Sequence, residues 1–360
     1  MPRTLALSIV VPVRDSGFNL DRVLAAVRAS ELPADTYEII VVDDVSTDAS
    51  VTVAARHADT VVRLRGRTSG PAYARNRGAE LARGDVVAFV DGDVVIRPDT
   101  LPRMLTMLAE RPDIDAVSAS RDERAGAPNF ISQYWNLLVC FGEARHGSGC
   151  SHFAAGCGVV RRSVLFSAGM YDEWRFFTGC VESLELGQRL LKAGHGVMLS
   201  PDLKVTHMRP WTLRSMSLEV WHRSMLLARS LGYQRTSSAA PSEVVFTLSR
   251  ALTPALAIAA TLTLTAAFLP RPYVLWKLAI AAAVLLLTNL PVHRFYSKAR
   301  GVGFALASAP LHLFVQAVSA VALCTGWILR DAFGDLLPDA ATQAYSEVGV
   351  ETWPPVRRRP

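Results

Sequence analysis

Residues 86–93 read Val-Val-Ala-Phe-Val-Asp-Gly-Asp, a short apolar run that ends in two carboxylates separated by one glycine. An uninterrupted apolar run of this length is typical of a strand buried on both faces of a parallel sheet. Such sheets bind ligands just beyond the carboxyl ends of their strands, where Asp91 and Asp93 would lie. Two neighbouring carboxylates can bind one hard divalent cation, but Asp-Gly-Asp is also ordinary turn chemistry. On this stretch alone both interpretations stay open.

The residues before this run alternate between apolar and amphipathic segments. The pattern predicts strands at residues 7–11, 38–42, 60–64 and 86–90, and helices at residues 19–30, 46–57 and 71–83. Alternation at such short intervals predicts right-handed crossovers and an α/β fold with a doubly wound, mostly parallel sheet. No Gly-x-Gly-x-x-Gly follows the first strand and no Gly-x-x-x-x-Gly-Lys occurs, which argues against dinucleotide-binding and P-loop chemistry.

Acidic residues follow three of the predicted strands. They are Asp15 after the first strand, Asp43 and Asp44 after the second, and Asp91 and Asp93 after the fourth. Because the carboxyl ends of parallel strands meet at one edge of a sheet, we expect these side chains to form a single site there.

Charge and cysteine usage divide the chain into two regions. Residues 1–202 carry 22 basic and 25 acidic side chains, whereas residues 203–300 carry 12 basic and two acidic ones. A basic region beside apolar segments suits the anionic cytoplasmic leaflet, and the chain has no nucleic-acid-binding motif. The five cysteines show no disulfide framework and residues 1–13 do not resemble a signal peptide. We therefore expect a membrane partner, no nucleic acid and a cytoplasmic N-terminal region.

Three apolar stretches follow in the C-terminal half. Residues 251–269 have no ionisable side chain, residues 278–292 have none, and residues 302–329 have only His312. A membrane helix needs about 20 apolar residues, so three transmembrane helices are expected, in a multi-pass protein of the cell (inner or plasma) membrane. The positive-inside rule then places the loop with Arg294 and Lys298 in the cytoplasm and the tail on the far side. A re-entrant segment would reverse the tail.

Residues 211–233 mix apolar and basic side chains before the first apolar stretch. This pattern predicts an amphipathic helix that either lies on the membrane or packs on the globular domain.

Four motifs together resemble those of the family 2 glycosyltransferases. They are Ser8-Ile-Val-Val-Pro-Val-Arg-Asp15, Val41-Val-Asp-Asp-Val-Ser-Thr-Asp48, Gly70-Pro-Ala-Tyr-Ala-Arg-Asn-Arg-Gly78 and Phe89-Val-Asp-Gly-Asp93. The resemblance covers roughly residues 5–208. It implies a GT-A fold, a nucleotide-diphosphate sugar donor, Mg²⁺ or Mn²⁺ as the cofactor, and inversion at the sugar. The resulting organisation is a GT-A domain at 1–208, a juxtamembrane linker at 209–243, an α-helical membrane region at 244–330 and a flexible polar tail at 331–360.

The resemblance also implies roles for individual residues. The implied nucleotide-binding residues are Pro12, Val13, Asp15, Asp43, Asp44, Arg75 and Asp91, and the implied metal ligands are Asp93 and Asp91. The implied acceptor-side residues are Gly156, Cys157, Asp172, Glu173 and His207. Two alternatives remain: Arg75 could instead form a salt bridge to a nearby carboxylate, and His207 could either touch the diphosphate or pack at the end of the sheet.

One motif departs from the family. Where the family reads Glu-Asp-x-Asp/Glu-Leu and uses the Asp as general base, this chain reads Glu182-Ser-Leu-Glu185-Leu, with Ser183 at the base position. A serine hydroxyl cannot take a proton from a sugar hydroxyl near neutral pH without a base of its own. Three readings follow: Glu182 or Glu185 serves as the catalytic base, the acceptor is an already ionised phosphate, or the protein is weakly active or inactive.

The resulting hypothesis is a membrane-bound enzyme that moves one sugar from a nucleotide-diphosphate sugar to a lipid-linked or membrane-proximal glycan acceptor. The alternatives are a polyprenyl-phosphate sugar synthase and a catalytically silent nucleotide-sugar-binding module. The chain lacks the Gln-x-x-Arg-Trp signature of processive synthases, which argues against repeated polymerisation.

Overall fold

The computed structural model describes residues 5–146, 153, 156–173, 181–234, 274–333 and 349–353. The chain divides into two compact units. The first comprises Met1–Asn136, Glu143–Pro210 and Leu336–Pro360, and the second comprises Leu137–Gly142 and Trp211–Asp335.

Strands and helices alternate along the first unit. In chain order they are β1 (Leu7–Val13), α1 (Gly17–Arg28), β2 (Tyr37–Asp44), α2 (Ser50–His57), β3 (Thr60–Arg65), α3 (Gly70–Leu81), β4 (Val86–Val90), β5 (Val94–Val95), α4 (Thr100–Glu110), β6 (Ala116–Arg121), α5 (Phe130–His146), β7 (Cys157–Arg161), α6 (Arg162–Ser167), α7 (Glu182–Lys192) and β8 (Val197–His207). Helix α5 contributes to both units. The second unit contains α8 (Leu213–Gln234), α9 (Val274–Arg300) and α10 (Val302–Phe333), and β9 (Gly349–Trp353) returns to the first unit.

The nine strands form one sheet in the order β5-β8-β6-β7-β4-β1-β2-β3-β9. Strands β4, β1, β2 and β3 run parallel, as does β6 beside β8, and β7 is inserted antiparallel between β4 and β6. The parallel part follows from the helical crossovers, which return the chain to the same end of the sheet. The predicted α/β class with a mostly parallel sheet is confirmed.

The central strands are buried on both faces. Along β1, Ile9 and Val11 belong to a core that also contains residues of α1 and α4, whereas Val10 belongs to a second core with residues of α3 and α7. Because successive side chains of a strand point to opposite faces, a strand covered on both faces needs apolar residues at every position. The uninterrupted run at residues 86–90 is therefore explained by its place in β4.

The structure differs from the sequence prediction at the start of α2, which begins at Ser50 instead of Ser46. The amide of Ser46 donates to Asp43 Oδ1 at 3.3 Å, and the amide of Thr47 donates to Asp15 Oδ1 at 2.8 Å. These bonds hold the chain in a loop, where Val45 has a φ of 60°. Side-chain acceptors that compete for backbone donors delay the start of a helix in this way.

Among the helices that the structure describes, one is long and apolar enough to cross a membrane. It is Val302–Arg330 within α10. The second predicted stretch, 278–292, lies within α9, and the first, 251–269, lies outside the described residues. The described part of the chain thus supports one candidate span instead of the predicted three.

The prediction of a flexible tail is wrong for Gly349–Trp353. These residues form β9, which pairs antiparallel with β3 in a register from Val61 with Trp353 to Arg65 with Gly349. The free edge of β3 presents unpaired backbone donors and acceptors, and a segment containing valine, threonine and tryptophan readily adds to such an edge.

Candidate active site

The acidic motifs meet at the carboxyl ends of β1, β2 and β4. At the turn after β4 the backbone of Gly92 lies so close to β1 that a Cβ atom there would be 3.0 Å from Val13 Cγ1 and 3.4 Å from the carbonyl oxygen of Pro12. A side chain at residue 92 would therefore push against neighbouring atoms of β1. The turn after β4 thus lies against Pro12 and Val13 at the end of β1.

Arg75 forms ion pairs with two acidic side chains of this region. Its side chain projects from α3 and is only 4% exposed. Nη2 donates to Asp91 Oδ1 at 2.7 Å, and Nη1 donates to Glu182 Oε1 at 2.8 Å. Despite desolvation, Asp91 and Glu182 raise the pKa of Arg75 above its ordinary value, so the guanidinium is always charged. The salt-bridge alternative for Arg75 therefore describes the structure.

Tyr171, which belongs to the Tyr171-Asp172-Glu173 segment that the resemblance assigns to the acceptor side, and Asn76, which had no predicted role, complete this environment. The ring of Tyr171 lies 5.4 Å from the Arg75 guanidinium in a cation–π contact. Asn76 holds that segment in place, because its Nδ2 donates to the Tyr171 carbonyl at 2.9 Å and its Oδ1 accepts from the Tyr171 amide at 3.0 Å. Asn76 stands in the Gly70–Gly78 motif, which was the available signal.

The predicted acceptor-side acids have different surroundings. Glu173 is buried and accepts from Asn76 Nδ2 at 2.7 Å, with Arg77 Nη2 at 3.7 Å. Burial raises the pKa of Glu173 above its ordinary value, although Asn76 and Arg77 oppose the rise. Asp172, next to it, is half-buried. Glu173 thus supports the loop that carries Tyr171.

The two acids at the end of β4 lie close enough to repel each other. The pKa of Asp93 is raised to about 6, chiefly by desolvation and also by the charge of Asp91, against the opposing charges of Arg209 and Arg121. Two neighbouring carboxylates that repel each other are a donor set that a divalent cation can neutralise. Mg²⁺ and Mn²⁺ need only one or two protein carboxylates when phosphates and water complete the shell.

No group of three His, Cys, Asp or Glu side chains able to hold a metal occurs among the described residues. The chemistry of Asp91 and Asp93 therefore fits a cation completed by a ligand's phosphates, and does not fit an all-protein metal cage.

His207 and Gly156 lie together behind Asp91. A Cβ atom on Gly156 would be 3.3 Å from His207 Cε1 and Nε2 and 3.9 Å from Asp91 Oδ2, so glycine leaves room for the imidazole. The Gly156 carbonyl also accepts from the Asp91 amide at 3.1 Å. Desolvation, and to a lesser degree Arg121, lower the pKa of His207 well below its ordinary value, which keeps the ring neutral. His207 is thus at the end of the sheet and also adjacent to Asp91.

Cys157 is buried in β7, opposite Val90 of β4. Burial raises the pKa of its thiol to about 12, with a further contribution from Asp91. A neutral, enclosed thiol packs as a small apolar side chain. We therefore give Cys157 a structural role.

The two acids that end β2 have separate partners. Asp44 accepts the backbone amides of Ser69 at 2.7 Å and Gly70 at 2.9 Å, at the start of α3. Asp43 is fully buried, its Oδ2 has no hydrogen-bond partner in the described part of the chain, and Arg63 Nε lies 3.9 Å from that oxygen. Burial raises the pKa of Asp43. Asp15 accepts from the Thr47 amide and so connects the β1 and β2 loops.

The two candidate bases are not equivalent. Both oxygens of Glu185 are held by Arg189, at 2.9 Å and 2.7 Å, and Arg189 also donates to the carbonyl of Met170. Glu182 gives Oε1 to Arg75, while its Oε2 is buried with no hydrogen-bond partner among the described residues. Glu182 is therefore the only one of the two with an uncommitted oxygen.

Comparison with known proteins agrees with this geometry. Residues 8–167 match the family model described as Glycosyl transferase family 2. The chain is similar to the "Uncharacterized glycosyltransferase YibD" of Escherichia coli (strain K12), with 33% identity over 125 residues, or 34% of this chain and 36% of that protein. It is 28% identical over 204 residues to a "Dodecaprenyl-phosphate galacturonate synthase" of Rhizobium johnstonii, which covers 52% of this chain and 58% of that protein. The chain thus spans less than two thirds of either relative.

Among solved structures, the fold resembles that of the mannosyltransferase PcManGT from Pyrobaculum calidifontis, which was solved in complex with GDP-Man and Mn²⁺. The TM-score is 0.59 at 20% identity, over 89% of this chain and 86% of that one. The shared architecture is the GT-A-like sheet with its helices. The matched residues run from β1 to β7 and include Arg75, Asp91 and Asp93, so the first unit contains a glycosyltransferase region that matches the family 2 model and includes these residues of the candidate site.

Proposed function

We propose that this protein transfers one sugar, with inversion, from a nucleotide-diphosphate sugar to a lipid-linked or membrane-proximal acceptor. The proposal is supported chiefly by the arrangement of Arg75 with Asp91 and Glu182. The buried Arg75 guanidinium donates to both carboxylates and orients them at the edge of the sheet. The edge also collects Asp93 and the neutral His207, and it lies at the carboxyl ends of parallel strands, where nucleotides bind in open α/β sheets.

Each side chain has a defined task in this proposal. A bound Mg²⁺ or Mn²⁺, held by Asp91 and Asp93, would neutralise charge that develops on the leaving diphosphate. Arg75 fixes the orientation of Asp91, so that one carboxylate oxygen faces the protein and the other is left for the ligand. Asp43, Asp44 and Asp15 shape the nucleotide end of the site through the β1 and β2 loops. Preorganised charges of this kind lower the barrier without reorganisation during the reaction.

We further propose that the protein is attached to the cell membrane through its second unit, with the catalytic domain in the cytoplasm. The apolar helix α10 and the excess of basic residues over 203–300 support this location. An acceptor at the membrane surface would then be close to the domain that binds the donor.

A second candidate activity, polyprenyl-phosphate sugar synthesis, is favoured by the surroundings of Ser183. Glu185 is committed to Arg189, and Glu182 already shares its Oε1 with a permanently charged arginine. A phosphate acceptor is already ionised and needs no catalytic base. The name of the Rhizobium johnstonii relative describes such an activity for that protein.

Turnover of nucleotide sugars by the full chain in nanodiscs tests the proposal, with released nucleotide and labelled lipid as the two readouts. Asp93→Asn should abolish metal-dependent nucleotide release, and Arg103→Gln, which alters an exposed pair on α4, is the matched control. A wild-type protein that binds nucleotide sugars but turns over none would identify a silent binding module.

Two variants separate the candidate activities. If Glu182 is the base, Glu182→Gln should reduce turnover far more than donor binding, and Ser183→Asp should increase turnover by restoring a carboxylate at the expected position. If the acceptor is a phosphate, Ser183→Asp should give no gain, because added negative charge repels the acceptor.

A further inference from the structure

We propose that the chain between Pro210 and β9 enters and leaves the membrane through the same face, so that it crosses an even number of times. The C-terminal segment then lies on the side of the catalytic domain and completes its sheet. This inference rests on the proposed membrane attachment, but goes beyond the proposed activity. It replaces the three crossings that hydropathy predicted.

The first observation is the pairing of β9 with β3. Five residue pairs in unbroken register, from Val61 with Trp353 to Arg65 with Gly349, join the tail to the catalytic sheet. Paired strands lie about 4.8 Å apart, whereas the apolar core of a bilayer is about 30 Å thick. A tail on the far side of the membrane could not reach β3. The ladder therefore requires residues 349–353 to be on the side of the domain.

The second observation is the geometry of the helices before the tail. Helices α9 and α10 are joined at Gly301, whose φ of +88° permits the reversal. Gln316 Nε2 of α10 donates to Asn289 Oδ1 of α9 at 2.7 Å, so residues on either side of the turn meet again. Two helices that pack in this way form an antiparallel hairpin, and the start of α9 and the end of α10 point in the same direction.

The end of this hairpin is packed against α8. At Gly326 the backbones of α10 and α8 approach so closely that a Cβ atom would be 2.5 Å from the Met225 carbonyl oxygen and 2.9 Å from Ala228 Cβ. Helix α8 begins at Leu213, three residues after the catalytic unit ends at Pro210. The C-terminal half of α10 thus packs beside α8, the first helix of the second unit.

These contacts determine whether the chain crosses the membrane an odd or an even number of times. The α9–α10 hairpin contributes two crossings or none, and the pairing of β9 with β3 requires the total number of crossings between Pro210 and β9 to be even. A chain attached in this way connects the catalytic domain to the membrane region at two points, before α8 and after α10. Two connections restrict how far the domain can move from membrane-bound acceptors.

Sealed membrane vesicles containing the full chain, with a different epitope tag at each terminus, provide the test. After protease is added to one face, we expect both tags to be cleaved together or protected together. Release of the protein by alkaline extraction would contradict the membrane attachment itself, which distinguishes a failure of the proposed function from a failure of this inference. Cleavage of one tag with protection of the other would overturn the inference.

A disulfide cross-link between β3 and β9 provides a second test of the inference. The register places Arg63 opposite Glu351, so Arg63→Cys with Glu351→Cys should form a disulfide that mass spectrometry assigns to these two peptides. The control pairs Arg63→Cys with Thr352→Cys, because adjacent residues of a strand point to opposite faces. Failure of the first pair to cross-link, or equal cross-linking of both pairs, would also overturn the inference.

Discussion

Replacing Arg75 with methionine should destabilise the catalytic domain strongly. The side chain is 4% exposed and donates to Asp91 at 2.7 Å and to Glu182 at 2.8 Å. Methionine has a similar length and no charge, so the substitution removes the two ion pairs while leaving little empty space. The expected loss therefore comes from the carboxylates that remain.

The magnitude follows from the exposure of those carboxylates. Removing one partner of a buried ion pair costs about 3–5 kcal/mol, because the other charge stays buried without compensation. The Asp91 side chain is 31% exposed, so water recovers part of its solvation, whereas Glu182 is 7% exposed and its Oε2 has no hydrogen-bond partner among the described residues. We expect a loss of about 3 kcal/mol, most of it from Glu182.

Urea unfolding of the full chain in detergent, followed by tryptophan fluorescence, measures this loss. Arg103→Met removes an exposed pair with Asp99 and should cost less than about 1 kcal/mol. Adding Glu182→Gln to Arg75→Met should recover about 1 kcal/mol or more, because it neutralises the unpaired acid. The reasoning is refuted if Arg75→Met and Arg103→Met have equal effects, or if the double variant is less stable than Arg75→Met alone.

Three further variants or conditions test other parts of the structure. Gly194 has a φ of +88° with open space around it, so Gly194→Ala should lower the free energy of unfolding by about 1–2 kcal/mol through backbone strain alone, and Gly194→Asn by less. At Gly84 a Cβ atom would lie 2.6 Å from the Leu7 carbonyl carbon, so Gly84→Ala should lower the melting temperature more than Gly194→Ala does; the reverse order would contradict the close packing. Because the pKa of Asp93 is about 6, Mn²⁺ affinity measured calorimetrically should fall as the pH drops through that value, and equal affinity at about pH 5 and about pH 7.5 would exclude Asp93 as a ligand. Without metal, the same pKa lies above its ordinary value of 3.8, so the stabilising contribution of protonated Asp93 is complete below about pH 4 and is lost as the pH rises through about 6.

Much of the fold could be predicted because its signals are local. The strand at residues 86–90 matches β4 residue for residue, since an apolar run between polar turns has few alternative structures. The start of α2 was missed because the Thr47 amide is bound by Asp15, 32 positions away, in addition to the local bond from the Ser46 amide to Asp43. No local pattern contains that competition.

The sequence predicted which residues form the candidate site better than it predicted what each of them contacts. Asp91 and Asp93 were expected at the sheet edge from strand order alone. The different situations of Glu182 and Glu185 were not, because they depend on Arg75 and Arg189, and Arg75 is 107 positions before Glu182. The contacts of Tyr171 with Arg75 and Asn76 could not be predicted either, because Asn76 is 95 positions before Tyr171.

By itself, the sequence determined an α/β domain with acids at the ends of its strands, because side-chain periodicity and turn residues act over a few positions. It also indicated the resemblance to the family 2 glycosyltransferases, through motifs whose order and spacing match those of the family. Only the tertiary structure decided that Arg75 is a buried partner of two acids, and that residues 349–353 close the edge of β3. Ion pairs and strand ladders join residues far apart in the chain, and their energies depend on burial and register that exist only once the sheet has formed.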